Sequence, residues 1–204
     1  MSTAILELLF PMALYKAKVD HTLSKEEVDT IKNGKYTEGH NRTYSDFNFR
    51  FLDNPIFTKL KKELQVHVDN YAKDIFKYDS EIYITQSWLN FNPPGSSHTV
   101  HNHSNSVFSG VYYITLPKGA PFLTFYSPIK HMFHFEPTEY NSYNANVWTV
   151  ALEEKDVVIF PSTIQHEVLT NNSGEDRICI AFNTFVRGYV GDKRTNESNY
   201  QIIK

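Results

Sequence analysis

The sequence predicts a mostly β domain with supporting helices at its N-terminal end. Seven short runs rich in aromatic and β-branched residues follow one another between residues 81 and 187, divided by turn residues. Aromatics make up 15% of the chain, most of them Tyr and Phe, which favours strands. Helical spacing is confined to the first 80 residues. Strands this closely spaced point to a sandwich or closed barrel, because a doubly wound sheet would interleave them with helices.

Taken in order, "MSTAILELLFPMALYKAKVD" reads as a first strand. It lacks a basic start and a small-residue cleavage site, and Glu7 and Pro11 interrupt its apolar run. In "LSKEEVDTIKNG", Ser24 and Glu27 form a capping box, Leu23 and Val28 a hydrophobic staple, and Gly34 a stop signal. A second helix begins at "NPIFTKLKKELQVHVDNYAKDIF", with Asn54 as cap, Pro55 in the first turn, and Ile56, Leu60, Leu64, Val68, Tyr71 and Ile75 on one stripe. His67, near that stripe, reads as a packing or surface residue. The predicted strands are "EIYITQSWLNF", "SVFSGVYYITL", "PFLTFYS", "NVWTVAL", "DVVIFP", "HEVLTN" and "RICIAFNTF". All 204 residues fit one domain: 1–80 for the first strand and helices, 81–187 for the β core, and 188–204 as a polar tail, loose or docked.

Composition narrows the function. A net charge of −3 with scattered Lys and Arg offers no footprint for a phosphate backbone, so nucleic acid is not an expected partner. Cys179 is the only cysteine, which excludes an intramolecular disulfide or a thiolate zinc cluster and suits a reducing compartment. No apolar run approaches the ~18 residues of a membrane helix. A cytoplasmic protein without membrane contact is the expectation; the oligomeric state is open, a homodimer included.

Chemistry is carried by two stretches. In "HTVHNHSNSVFSGVYYITLP", three histidines fall within six positions. His101 and His103 share a face if the segment is extended, whereas His98 has the opposite parity unless a bend intervenes. Two imidazoles alone suit a metal or a polar loop equally. In "KDVVIFPSTIQHEVLTNNSGEDRICIAFNTF", a strand leads through a turn to His166, and Arg177 alternates with Cys179, Ala181 and Asn183. If that face is interior, the guanidinium requires an anion, and a bound carboxylate would fit its fork. If Arg177 lies at the rim, Glu175 or Asp176 would pair with it.

The ordered set resembles the 2-oxoglutarate and Fe(II)-dependent oxygenases. It is most similar to the phage and bacterial group with H-x-H before SG-x-Y-Y, here His101-Asn102-His103 and Ser109-Gly110-Val111-Tyr112-Tyr113. "VIFPSTIQHEV" and "RICIAFN" match two further blocks of that group, and the likeness covers roughly residues 81–187. The resemblance implies a double-stranded β-helix (jelly roll, cupin-like) with supporting N-terminal helices. It implies Fe(II), 2-oxoglutarate and O2 as cofactor and cosubstrates. His101 and His166 match iron ligands, and His103, standing where relatives carry Asp or Glu, is expected to be the third, the alternative being a rotated ring with water or another anion in its place. Arg177 matches the clamp on the cosubstrate's C5 carboxylate, and Tyr113 a hydrogen-bonding partner of it, Tyr112 serving if the register shifts by one. Asn183 would reach the same pocket, with Trp88, Asn90, Tyr112 and Phe125 as further lining. The implied activity is hydroxylation of a C–H bond in a peptide, protein side chain or small metabolite, releasing succinate and CO2. Competing readings are a cupin-like metalloprotein that does not use 2-oxoglutarate and a non-enzymatic jelly-roll binding module. Between core strands, His131, His134 and Glu136 lie in a long loop that could cover substrate, as a second site or as solvated residues.

Overall fold

A computed structural model describes residues 5, 7–46, 48–129, 133, 135–191 and 201–203. In chain order the elements are β1 (Tyr15–Lys18), α1 (Lys25–Lys32), β2 (Thr37–Glu38), β3 (Tyr44–Ser45), α2 (Thr58–Asn70), β4 (Glu81–Asn92), β5 (His98–His101), β6 (Phe108–Thr115), β7 (Leu123–Tyr126), β8 (Val147–Thr149), β9 (Asp156–Pro161), β10 (His166–Val168), β11 (Arg177–Val190) and β12 (Gln201–Ile203).

Both helices start as their caps dictate. The Ser24 side chain accepts from Glu27 N–H at 3.2 Å while Glu27 Oε2 accepts from Ser24 N–H at 2.7 Å. Helix α1 ends on Asn33, whose N–H bonds Asp29 O, so Gly34 stands one residue outside the stop. Asn54 caps a tight turn over Pro55–Phe57 that feeds α2. Leu60, Leu64 and Val68 on α2 and Tyr71 just after it are fully buried, each contributing roughly 1.5–3 kcal/mol of apolar burial. His67 is a packing residue: its Nδ1 lies 2.9 Å from the Tyr15 hydroxyl.

Two antiparallel sheets face one another. The larger, of eight strands, runs β1-β9-β6-β11-β4-β3-β2 with β12 paired to the end of β11; the smaller runs β5-β10-β7-β8. Strand alternation divides the larger sheet's side chains between two cores. One face (Ile82, Ile84, Leu89, Tyr112, Val157, Ile159, Ile180 and Phe182) packs on α2. The other (Val111, Tyr113, Val158, Phe160, Cys179 and Ala181) closes on Leu123, Phe125 and Val168 of the smaller sheet. The result is helices, sheet and sheet in three layers, with the jelly-roll interior between the sheets.

Two local features depart from expectation, and a third decides between the two outcomes expected of the tail. Strands β2 and β3 were not foreseen, and β3 continues the sheet beside Phe91 and Asn90. Strand β11 extends five residues past the predicted Phe185, to Val190. The end of the tail docks, Gly188 to Val190 pairing with residues 203 to 201. No helix among the described residues is long and apolar enough to cross a membrane.

Gly110 permits one close approach between strands. It is paired with Phe182, and a Cβ at this position would overlap the Phe182 ring. Gly110→Ala is expected to destabilise the protein by about 1–3 kcal/mol through forced repacking, read as a lower melting temperature.

Candidate metal centre

The smaller sheet brings two distant histidines together. His101 on β5 pairs with His166 on β10, their ring centroids 4.4 Å apart. His103 lies two residues beyond the end of β5, its backbone N–H donating to Ser162 O at 3.0 Å, and its ring stands 5.2 Å from His101 and 5.1 Å from His166. One nitrogen from each of the three lies within 4.8 Å of the others. His103 thus joins the group from just beyond the end of β5, ahead of the turn at Ser104–Asn105.

The same nitrogen is committed in all three rings. Nδ1 of His101 lies 2.7 Å from Thr99 O, that of His166 3.1 Å from Ile164 O, and that of His103 2.7 Å from Asn183 Oδ1. A carbonyl oxygen only accepts, so each Nδ1 carries a proton, and the neutral form of each ring presents its lone pair on Nε2. That tautomer is the one a metal ligand needs. Burial drives His166 down to about 3 and holds His103 below its ordinary value, so both rings are neutral at pH 7.

Burial of His166 has a consequence for stability. Its folded value lies below the unfolded one, so the unfolded chain binds more protons between about pH 6.5 and 3. His98, lowered by burial to about 4, adds in the same direction. The metal-free protein is expected to be most stable above pH 6.5. At pH 5 His166 alone would remove roughly 2 kcal/mol, a melting temperature lower by several degrees.

Arg177 lies on the inner face of the larger sheet, 1% exposed, and not at the rim. Glu175 and Asp176 point to solvent. Its Nη1 donates to Asn92 Oδ1 at 2.9 Å, its Nη2 to the Tyr113 hydroxyl at 3.2 Å, and the guanidinium sits 5.0 Å above the Tyr113 ring. Arg177 Nε and Asn92 Nδ2 are buried with no hydrogen-bond partner. No carboxylate pairs with Arg177 among the described residues. A permanent cation buried beside two unsatisfied donors is an incomplete site that a bound carboxylate completes. Burial pushes the Tyr113 phenol up to about 12, so its O–H is also available to donate.

The other expected pocket residues divide. Trp88 is half-buried, its ring 5.7 Å from His103, with Phe49 a further 5.8 Å out. Asn90 is buried opposite Cys179 on the inner face. Phe125 is buried 6.1 Å from His166 and 4.9 Å from Phe160. Tyr112 is a correction: it belongs to the core beneath α2, because alternation on β6 sends it away from Tyr113. Asn183 is on the inner face but is bonded to His103, six residues along β11 from Arg177. His131 and His134 lie outside the described residues; Glu136 is exposed.

Reasoning by parity discards His98, and the structure returns it. Between His98 and His101 the pairing with β10 slips by one residue, so a bulge puts both on the pocket side. The two rings are 6.5 Å apart, and His98 feels both Arg177 and His101. Asn92 also escaped attention, although its parity with Asn90 and Trp88 marks the inner face.

Residues 86–183 match the family described as "Putative 2OG-Fe(II) oxygenase". That stretch, just under half of the chain, is similar to the 2OG-Fe(II) oxygenase family. Among solved structures, the chain is similar to a Pseudomonas putida prolyl-4-hydroxylase (12% identity, TM-score 0.59, 85% of this chain and 94% of that one). It is also similar to HygX from Streptomyces hygroscopicus with nickel, 2-oxoglutarate and hygromycin B bound (11%, 0.59, 95% and 93%). A third is a prolyl hydroxylase in complex with a hypoxia inducible factor peptide fragment from Trichoplax adhaerens (12%, 0.59, 84% and 83%). At these identities the likeness shows the double-stranded β-helix. No curated protein matches the chain. The family's iron and 2-oxoglutarate fit the donor set described above: three converging imidazoles and, in the same interior, a buried guanidinium with no carboxylate partner among the described residues.

Proposed function

We propose that the protein is a 2-oxoglutarate-dependent hydroxylase in which His101, His103 and His166 hold Fe(II) through Nε2, and Arg177 and Tyr113 hold the cosubstrate's C5 carboxylate. The observation that carries this reading is the buried, unpaired guanidinium of Arg177 in the same interior as the three histidines. A cupin-like metalloprotein that does not use 2-oxoglutarate would leave that charge without a role, and a plain binding module would leave both features without one.

The three imidazoles would hold the metal as neutral nitrogen donors, and a site with three protein ligands would keep room for the cosubstrate. Arg177 gives its fork to the carboxylate and Tyr113 adds a neutral O–H. Asn92, bonded to Arg177 Nη1, fixes the guanidinium plane. Trp88 and Phe125 flank the histidines and keep water from the reacting centre. When bound, iron and 2-oxoglutarate supply the oxidation: 2-oxoglutarate, O2 and a substrate C–H bond become succinate, CO2 and an alcohol. The substrate class on this reading is a peptide or protein side chain or a small metabolite, as the hydroxylase and antibiotic-bound neighbours illustrate.

The experiment is direct. Fe(II) and 2-oxoglutarate added without oxygen should produce a visible charge-transfer band, and admission of oxygen should yield succinate. A protein that shows neither is not this enzyme.

A further inference from the structure

We infer that Asn183 is a positioning residue for His103, and that it does not contact the cosubstrate. The inference rests on the iron reading above. Asn183 Oδ1 accepts from His103 Nδ1 at 2.7 Å and from the Ser109 hydroxyl at 2.8 Å, while its Nδ2 donates to Gln86 Oε1 at 3.1 Å. With Nδ2 directed to Gln86, the oxygen end of the amide faces the imidazole. Behind it, Ser109 Oγ is 2.8 Å from Ser162 Oγ, and Ser162 donates to Ser106 at 2.7 Å. Ser109 and Ser162 are fully buried and Asn183 is 7% exposed.

The arrangement answers a problem that His101 and His166 do not have. Each of those rings bonds a backbone carbonyl two residues away, so its orientation is set locally. His103 has left its strand, and its only Nδ1 partners are side chains on β6 and β11 of the opposite sheet. A carboxylate ligand would need no such partner to hold a tautomer. An imidazole there requires an acceptor on Nδ1, and Asn183 supplies a neutral one. The proton then stays on Nδ1 and Nε2 is left to the metal. With Asn183 facing His103, Arg177 and Tyr113 at the other end of the pocket are left to hold the cosubstrate.

The test compares Asn183→Leu, which removes the acceptor, with Asn183→Asp, which restores one and lets the Gln86 amide turn to donate. Co(II) is the probe, its affinity and visible ligand-field spectrum being read without turnover, and 2-oxoglutarate affinity is measured at saturating metal. Melting of the metal-free proteins registers any general damage. Asn183→Leu should weaken Co(II) about 10–100-fold and alter its spectrum, with 2-oxoglutarate affinity within about twofold of the parent. Asn183→Asp should recover Co(II) affinity with a spectrum distinct from both. Equal Co(II) affinity and spectra for the parent and Asn183→Leu would overturn the assignment. So would an Asn183→Asp protein that binds Co(II) normally and loses 2-oxoglutarate, the result a cosubstrate contact would give. If the parent itself binds neither Co(II) nor 2-oxoglutarate, the iron reading fails first, and the two failures are told apart.

Discussion

Arg177→Gln is expected to leave metal binding unchanged and to weaken 2-oxoglutarate binding by about 2–5 kcal/mol, roughly one and a half to three and a half orders of magnitude in Kd. The size follows from burial: the guanidinium is 1% exposed, so the carboxylate it meets is shielded from competing water. Titrating the Fe(II) protein with 2-oxoglutarate through the charge-transfer band gives the answer, and an unaltered affinity would place the cosubstrate elsewhere. Arg177→Met adds a second reading of the same site. In the absence of ligand the parent maintains a buried cation with an orphaned Nε. An apolar side chain of similar length should raise stability by about 1–4 kcal/mol while abolishing cosubstrate binding. A protein that melts higher and loses function identifies a group retained for binding.

His101→Ala is expected to remove turnover and reduce Co(II) affinity by more than about a hundredfold, exceeding what loss of an outer partner such as Asn183 produces. His101 is half-buried, so its truncation disturbs packing less than truncation of the buried His166. Retained metal affinity in this variant, with an unchanged melting temperature for the metal-free protein, would exclude His101 from the ligand set.

The β core was legible because short aromatic and β-branched runs bounded by turn residues leave a readable pattern, and strands such as 156–161 fall where the sequence puts them. Two-residue strands carry no period, which is why β2 and β3 were missed. The histidine cluster was legible as a composition of residues and not as a route. His103 lies past the end of β5, and the bulge that restores His98 is a backbone event without a residue signature. Whether Arg177 sat at a rim or inside depended on which sheet face closes, a tertiary fact. Asn183 was assigned to the cosubstrate by sharing a face with Arg177, but six residues of strand span roughly 20 Å, enough to separate one end of the pocket from the other.

The two halves of this pocket belong to different sheets. Arg177 and Tyr113 stand on the eight-stranded one, His101 and His166 on the four-stranded one. A molecule held at both ends spans the seam of the sandwich, and its binding energy opposes the sheets' separation on heating. At a hundred times its Kd, such a ligand adds about 2.7 kcal/mol to the work of unfolding. Melting temperature thereby becomes a reporter of occupancy. Collections of peptides and metabolites could be sorted on the metal- and cosubstrate-loaded protein by heat alone, before any product is known.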